Sequence, residues 1–433
     1  MASKIKTGLF VLYVSITSLV FFLRTLKKLR GIRKKRIVFV NYRAFGHSIL
    51  DSFAVYDYYR EDCLIISIGE EFERNSCLLW IIPSESLYHL ILPSWHRKIN
   101  AQSKYSLRKY VGPQVSKLLK VAQKLRILNY TTRIEDQNTK IMLDLAPIHL
   151  QKYLGWDPQK CSGYIRSRVE AHQANEITLS NGVGTQIYAS IVDQIQNENL
   201  LIPEDLNRKF LNGLISKCNV TSACELRIYT LIISSRGKPH HGSGISRYIP
   251  IITHLLNSPN CVVILLGDYL DDITNLRKSN IISPRLLIPE DFDIAKKEVQ
   301  FLSIFNSSLV FGDPSGAWSI FLLIGSRGLL IDQIPTGELY SRCIHVPRVW
   351  ESKSLQVATL DFLLNDSFFR LREFISNNEL WRPRLHNSAE LSTLFHSIPF
   401  AHNLDSFVQI KNYIKDELAL DLLRNNSCSY IFL

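Results

Sequence analysis

The sequence predicts an α/β protein of two Rossmann-like lobes behind one N-terminal transmembrane or membrane-associated helix. Three observations lead there. Short continuous apolar runs alternate with helix-length stretches, the pattern of parallel strands covered on both faces. The chain has 433 residues, more than one ordinary core needs and enough for two. An uncharged apolar run, Thr7–Leu23, is followed at once by a dense basic segment.

The membrane segment comes first. Seventeen uncharged residues reach the short end of a spanning helix, since a helix rises ~1.5 Å per residue against ~30 Å of hydrocarbon. A small-residue cleavage site is absent, and RTLKKLRGIRKKR follows instead. Lys4 and Lys6 precede the run, whereas Arg24, Lys27, Lys28, Arg30, Arg33, Lys34, Lys35 and Arg36 follow it. Basic residues favour the cytoplasmic side, so the body is expected at the cytoplasmic (inner) membrane face, behind a single-pass or monotopic helix. The net charge of +12 is concentrated here: residues 1–36 hold ten Lys or Arg and no acid, leaving 41 basic against 39 acidic residues beyond. That near-neutral body gives no electrostatic footprint for nucleic acid.

The first lobe is expected over residues 37–220. RIVFVN at 36–41 reads as a buried strand, YRAFGHS as a turn, Ile49–Arg60 as a helix and CLIISI at 63–68 as a second strand. KIMLDL at 140–145 looks like another strand, and residues 163–200 are polar and helix-prone, broken by NGVG at 181–184. Pro203–Ser216 reads as a helix with Pro near its start. The second lobe is expected over residues 221–433. It reads as strands at 226–234, 261–267, 308–312 and 328–332, helices at 246–256, 295–305 and 317–324, and terminal helices within 366–424.

Cysteine chemistry is ruled down by spacing. The eight cysteines form no C-x-x-C pair and no zinc-spaced Cys/His set, and several lie in apolar surroundings, which suits buried reduced thiols. No D-x-D motif stands in a strand-end loop, so nothing calls for a metal, and no cofactor is required.

Two loops of the second lobe follow predicted strands, where open α/β sheets bind ligands. The first is SSRGKPHHGSG after the strand ending at Ser234. The second, GDPSG at 312–316, precedes an apolar helix. Ser315 and Gly316 would offer free N–H groups to a diphosphate, and Arg236 a planar cationic fork. Asp313 reads as a helix cap rather than a catalyst, because a negative charge beside a diphosphate is unfavourable.

At these residues the chain resembles a family of bacterial glycosyltransferases of lipopolysaccharide and capsule loci, similar to GT-B enzymes. The matching pieces are LIISSRG at 231–237, SRYIPIITHLL at 246–256, CVVILLGD at 261–268 and FLSIFNSSLVFGDPSGAWSIFLLIGSRGLLIDQIP at 301–335, with RIVFVNYRAFGHSILD at 36–51 as the opening strand and Gly-His turn. Behind the 1–36 membrane anchor read from the apolar run and its basic flank, the resemblance implies a 37–220 acceptor lobe and a 221–433 nucleotide-sugar donor lobe. It implies donor contacts from Arg236, Ser315, Gly316, Gly267 and Glu338, the last against a ribose. It implies a catalytic base from His47 or Asp51, and as partners a nucleotide sugar, a glycan or lipid-linked acceptor and the membrane. The family carries an acidic residue after the arginine of the first loop, where this chain has Gly237 and Lys238. Two other readings compete. A dinucleotide-dependent reductase needs G-x-G-x-x-G after a strand, and Arg247 stands where HGSGIS would need its third glycine. A non-catalytic scaffold of a polysaccharide assembly complex would keep the fold without the activity.

Overall fold

A computed structural model describes residues 2–29, 36–41, 52–53, 55–70, 76–92, 108–128, 132–135, 157–159, 162, 200–220, 222, 226–234, 244–267, 273, 283–313, 315, 317–324, 328–333, 343–347, 349–352 and 381–397. They divide into two compact units. The first takes residues 1–148, 180–188 and 199–201, and the second takes residues 149–179, 189–198 and 202–433.

In the first unit, helix α1 (Ala2–Leu29) precedes strands β1 (Arg36–Asn41), β2 (Cys63–Glu70) and β3 (Leu87–Leu92), helix α2 (Arg108–Lys124) and strand β4 (Arg133–Glu135). The strands form one parallel sheet in the order β3-β2-β1-β4. Alternate residues such as Ile37, Phe39, Leu64, Ile66 and Ile68 share a core with Val111, Val115 and Leu119 of α2. Tyr13, Val14, Phe21 and Leu29 of α1 belong to the same core. The helix expected at 49–60 is helical at 52–53 and 55–59, then tightens into a 3-10 turn, Arg60–Asp62. The strand expected at 140–145 and the polar stretch at 163–200, NGVG included, lie outside the described residues.

The continuous part of the second unit, from residue 202 onward, begins with helix α3 (Glu204–Cys218). Phe210 stacks on Phe292 at 5.1 Å between centroids, and Lys209 bonds Asp293 at 2.8 Å, so this helix packs with the residues that follow it. Asn219, in the left-handed region at φ 53°, ends it. Next come strand β5 (Arg227–Ile233), helix α4 (Ile249–Leu256) after a 3-10 turn (Ser246–Tyr248), and strands β6 (Cys261–Gly267) and β7 (Leu286–Leu287). Helix α5 (Lys296–Phe305), strand β8 (Leu309–Gly312), helix α6 (Trp318–Ile324), and strands β9 (Gly328–Gln333) and β10 (Cys343–Pro347) complete the sheet. A two-stranded antiparallel ribbon, β11 (Val349–Ser352) with β12 (Trp381–Arg384), and helix α7 (Ser388–Ser397) follow.

The main sheet is parallel, in the order β10-β9-β8-β5-β6-β7. Counting β5 as the first strand, that is 6-5-4-1-2-3, the doubly wound arrangement. Every strand residue of β5 after Arg227 is buried, which is why the run reads as continuous rather than alternating. One face, with Tyr229, Leu231, Val263, Leu265 and Phe311, meets α4 and α7 residues such as Leu255, Leu391 and Phe395. On the other face Thr230, the polar residue in the middle of β5, bonds the Ser307 hydroxyl at 2.5 Å and the Ser303 carbonyl at 3.2 Å. Close packing of α6 on β9 requires Gly328, where a Cβ would stand 2.5 Å from the Phe321 ring.

The terminal helices expected within 366–424 need one correction. Residues 381–384, WRPR, form strand β12 paired with β11, because Pro383 disfavours a helix interior and is tolerated on a two-stranded edge. Among the described residues of that stretch the helix is α7, which starts where Asn387 and Glu390 cap each other reciprocally at 2.9 Å.

Candidate functional site

In a doubly wound sheet the strand order reverses once, and the carboxyl edge at that switch is where ligands enter. Here the reversal lies between β5 and β8: the chain passes from β5 outward to β6 and β7, then returns to the other side of β5 as β8. The two loops singled out in the sequence are the ones that leave these two strands. Ser234 is the first residue of one, and Asp313 and Ser315 belong to the other.

Two glycines shape this edge. Gly267 ends β6 at φ 101°, and Gly312 ends β8 at φ 127°. A Cβ at Gly267 would lie 1.9 Å from the Ile233 carbonyl oxygen, and one at Gly312 would lie 2.1 Å from that of Ile232. Only glycine permits both the torsion and the approach, so both neighbours of β5 close on its carboxyl end without a side chain. Gly267 thus has a backbone reason to be glycine.

Below the edge lies a buried ionic network. Asp313, fully buried, accepts from the Ser234 N–H at 3.1 Å and from the Tyr248 hydroxyl at 2.6 Å, while its own N–H donates to the Ile232 carbonyl at 2.8 Å. The Asp313 carbonyl in turn accepts from the Trp318 indole N–H at 2.8 Å. Arg247 bridges two carboxylates: one terminal nitrogen pairs with Asp313 and the other with Asp332. The guanidinium also reaches the Tyr248 hydroxyl at 2.9 Å and the His386 carbonyl at 3.3 Å, and its Nε has no acceptor among the described residues. His386 Nδ1 sits 2.6 Å from Asp332 and must carry its proton to bond it, and the His386 backbone N–H donates to the same oxygen at 3.2 Å.

Asp332 is turned into this network by the backbone. It lies at φ 57° and falls out of register between Ile331, paired with Val346, and Gln333, paired with Pro347. The bulge re-aims a strand residue, and Asp tolerates the left-handed region better than most side chains.

The electrostatics follow from burial. Desolvation opposes the Arg247 charge, but Tyr248, Asp313 and Asp332 outweigh it and raise its pKa. Burial likewise works against ionisation of Asp332, yet bonding to His386 and the Arg247 charge hold its carboxyl below the ordinary value. For Asp313 burial prevails over Arg247 and Tyr248, and the carboxyl is pushed up. Tyr248 is raised well above a normal phenol by burial and by Asp313, so it stays protonated as a donor.

The network joins the carboxyl ends of β5, β8 and β9, the start of the α4 segment and His386, two residues before α7. Asp313 was expected to cap the following helix; its carboxylate instead anchors the loop after β8 to the Ser234 N–H and the Tyr248 hydroxyl. Ser315 is half-buried, and its hydroxyl accepts from the Ala317 N–H at 3.2 Å while its carbonyl accepts from Trp318 N–H at 3.2 Å. Its hydroxyl thus caps α6, and its own proton has no acceptor among the described residues.

Arg236, Gly316 and Glu338, and the first-lobe pair His47 and Asp51, lie outside the described residues. His47 and Asp51 do belong to the segment that leaves β1, which in its own sheet stands where β3-β2-β1 meets β4. No group of three or more His, Cys, Asp or Glu able to hold a metal occurs among the described residues. Arg247, Tyr248, Asp332 and His386 were not singled out by sequence reasoning. The available signal was an aspartate closing the apolar strand GLLID and an arginine opening the apolar helix SRYIPII.

No family model matches the chain, and no curated protein sequence matches it. Among solved structures it is similar to a glycosyltransferase family 9 protein of Veillonella parvula, at 11% identity and TM-score 0.41 over 72% of this chain and 85% of that one. It is also similar to E. coli ADP-heptose LPS heptosyltransferase II, at 11% identity and TM-score 0.39 over 79% and 98%. A third is the E. coli heptosyltransferase WaaC with ADP-2-deoxy-2-fluoro heptose, at 9% identity and TM-score 0.37 over 79% and 99%.

Proposed function

We propose that this chain is a glycosyltransferase that moves a sugar from a nucleotide-sugar donor to a surface-polysaccharide or lipid-linked acceptor at the cytoplasmic membrane face. One observation carries the reading. The loops after β5 and β8, which bear Arg236 and the Ser315–Gly316 turn, are the loops that flank the switch point of the second sheet. The two loops chosen for phosphate chemistry are the two that the topology picks out.

In this reading the leaving diphosphate sits over the carboxyl ends of β5 and β8. Its negative charge grows as the glycosidic bond to the sugar breaks, and fixed donors stabilise it without reorganising. Arg236 supplies a bidentate charge, Ser315 a hydroxyl and Gly316 a backbone N–H. Gly267 and Gly312 leave the backbone bare at that edge. The Arg247 network fixes the roots of both loops, so the donors hold one spacing. Glu338 faces the ribose, and His47 or Asp51 takes the proton from the acceptor hydroxyl. No cofactor is required.

The test is calorimetric titration of the full chain in mild detergent with nucleotide sugars carrying each common base, followed by mass spectrometry of products made on a glycolipid extract. Binding with transfer supports the reading. Binding without transfer on any acceptor would leave the scaffold alternative, and no binding of any nucleotide sugar overturns the donor site.

A further inference from the structure

The polarity of α1 is inverted relative to a helix on the surface of a water-soluble domain. Its buried side carries hydroxyls: Tyr13, Thr17, Ser18 and Thr25 are buried together with Val14, Phe21 and Leu29. The Thr17, Ser18 and Thr25 hydroxyls have no hydrogen-bond partner among the described residues. The opposite side presents Val11, Leu12, Ile16, Leu19, Val20 and Leu23, each 40–57% exposed. Ser15 is exposed too, and its hydroxyl is bonded back to the Val11 carbonyl at 2.9 Å, so it offers the surroundings no unpaired donor. In water this arrangement is costly on both sides. Against hydrocarbon the outer side is the stable one.

By length and composition the stretch Phe10–Leu29 could cross a membrane. Its packing argues otherwise. Residues from Tyr13 to Leu29, about 24 Å of helix, contribute to one core with Ile37, Phe39, Leu64 and Ile66 of the sheet, and α1 packs along α2, with Phe10 edge-on to Tyr110 at 5.6 Å. A helix fixed along its length to an open-edged sheet cannot traverse hydrocarbon without drawing unpaired strand edges into it. At the end of the apolar side stand Arg24, Lys27 and Lys28, all exposed, ahead of the basic run at 30–36. Helix α2 shows the same combination on its exposed side, with Lys117, Val121 and Lys124 followed by Leu125.

We infer that α1 is a monotopic membrane-docking element: it lies in the plane of an anionic phospholipid bilayer, its outer side in the upper acyl layer and its basic end among the phosphates. The inference rests on the membrane placement proposed above and not on the transfer chemistry. A bilayer is chosen over a partner helix because the apolar side ends in a cluster of cations, which fits a surface that is apolar below and anionic above.

Two measurements test it on the full chain. The first is flotation with vesicles of phosphatidylglycerol and phosphatidylcholine at a ratio of about 1:3. Leu19→Glu/Leu23→Glu should lower partitioning by roughly 100-fold or more, with the thermal unfolding midpoint unchanged because both positions are exposed. Arg24→Gln/Lys27→Gln/Lys28→Gln should lower it on the order of 100-fold at low salt and much less at high salt. Unchanged partitioning of the Glu variant overturns the lipid-facing side. The second is protease treatment of inside-out membrane vesicles bearing the protein with an N-terminal epitope. Digestion of epitope and body together is the expected result. A protected epitope with a digested body means a crossing helix, which overturns the in-plane geometry while the membrane placement stands. Recovery of the protein in neither membranes nor vesicles overturns the placement itself.

Discussion

Replacing Arg247 by Met is the most informative single perturbation. Methionine has nearly the length of arginine and no charge, so the change leaves Asp313 and Asp332 buried with their countercharge gone. Breaking one side of a buried ion pair costs about 3–5 kcal/mol. Arg247 serves two carboxylates, both fully buried, so we take the upper end, about 5 kcal/mol. For a unit of this size a kcal/mol moves the midpoint by roughly 2–3 °C, which gives a fall of ~10–15 °C. The assay is scanning calorimetry of the full chain in detergent at neutral pH. Arg247→Met/Asp313→Asn/Asp332→Asn should recover most of the loss, because no uncompensated charge then remains buried. Arg247→Lys should fall between, since a point charge cannot bridge both carboxylates as the planar fork does. A shift below about 3 °C for Arg247→Met would show that water reaches the network. A triple variant as unstable as the single one would show that shape, not charge, is what Arg247 contributes.

Four further outcomes follow from the same geometry. Arg236→Ala should weaken nucleotide-sugar binding by roughly 1.5–3 kcal/mol in a folded protein, measured by calorimetry, with Lys restoring part of it. Gly312→Ala places a Cβ 2.1 Å from a backbone oxygen at φ 127°, so it should destabilise by more than ~1 kcal/mol and reduce donor affinity through the β8 loop, read from unfolding and titration side by side. Asp332, whose folded pKa is depressed, contributes stability that is present above ~pH 4 and lost as pH falls through its folded value. Asp313, raised by burial, acts in the opposite sense, so Asp332→Asn should flatten the acid limb of the urea midpoint against pH, while Asp313→Asn should not. Deleting residues 1–36 removes α1 from a shared core and also strand residue Arg36, so the remainder should aggregate or lose its cooperative unfolding instead of becoming a well-behaved soluble protein.

The second unit was readable element by element because its strands are buried on both faces. CVVILLG and LRIYTLIIS carry enough continuous apolar surface to be strands in any packing, and the polar loops after them stand out by contrast. The first unit was harder between residues 70 and 140, where lysines and arginines interrupt α2 on its exposed side and β3 mixes Tyr88 and His89 with leucines. Residues 381–384 were misread because a four-residue edge strand owes its form to pairing with β11, a contact that local pattern does not encode.

By itself the sequence determined the alternation of strands and helices, the basic segment behind an apolar helix, and the two polar loops here proposed for phosphate chemistry, since hydropathy period and charge spacing are local properties. Tertiary structure decided three things. It ordered the strands so that both loops flank one switch point, a matter of which crossover goes to which side of β5. It brought Arg247, Asp313, Asp332 and His386 together across as many as 139 positions of sequence, using a left-handed bulge at Asp332 that no composition announces. And it turned the hydroxyl side of α1 inward and the apolar side outward, because a helix has one axis but two sides, and only packing decides which of them meets the core.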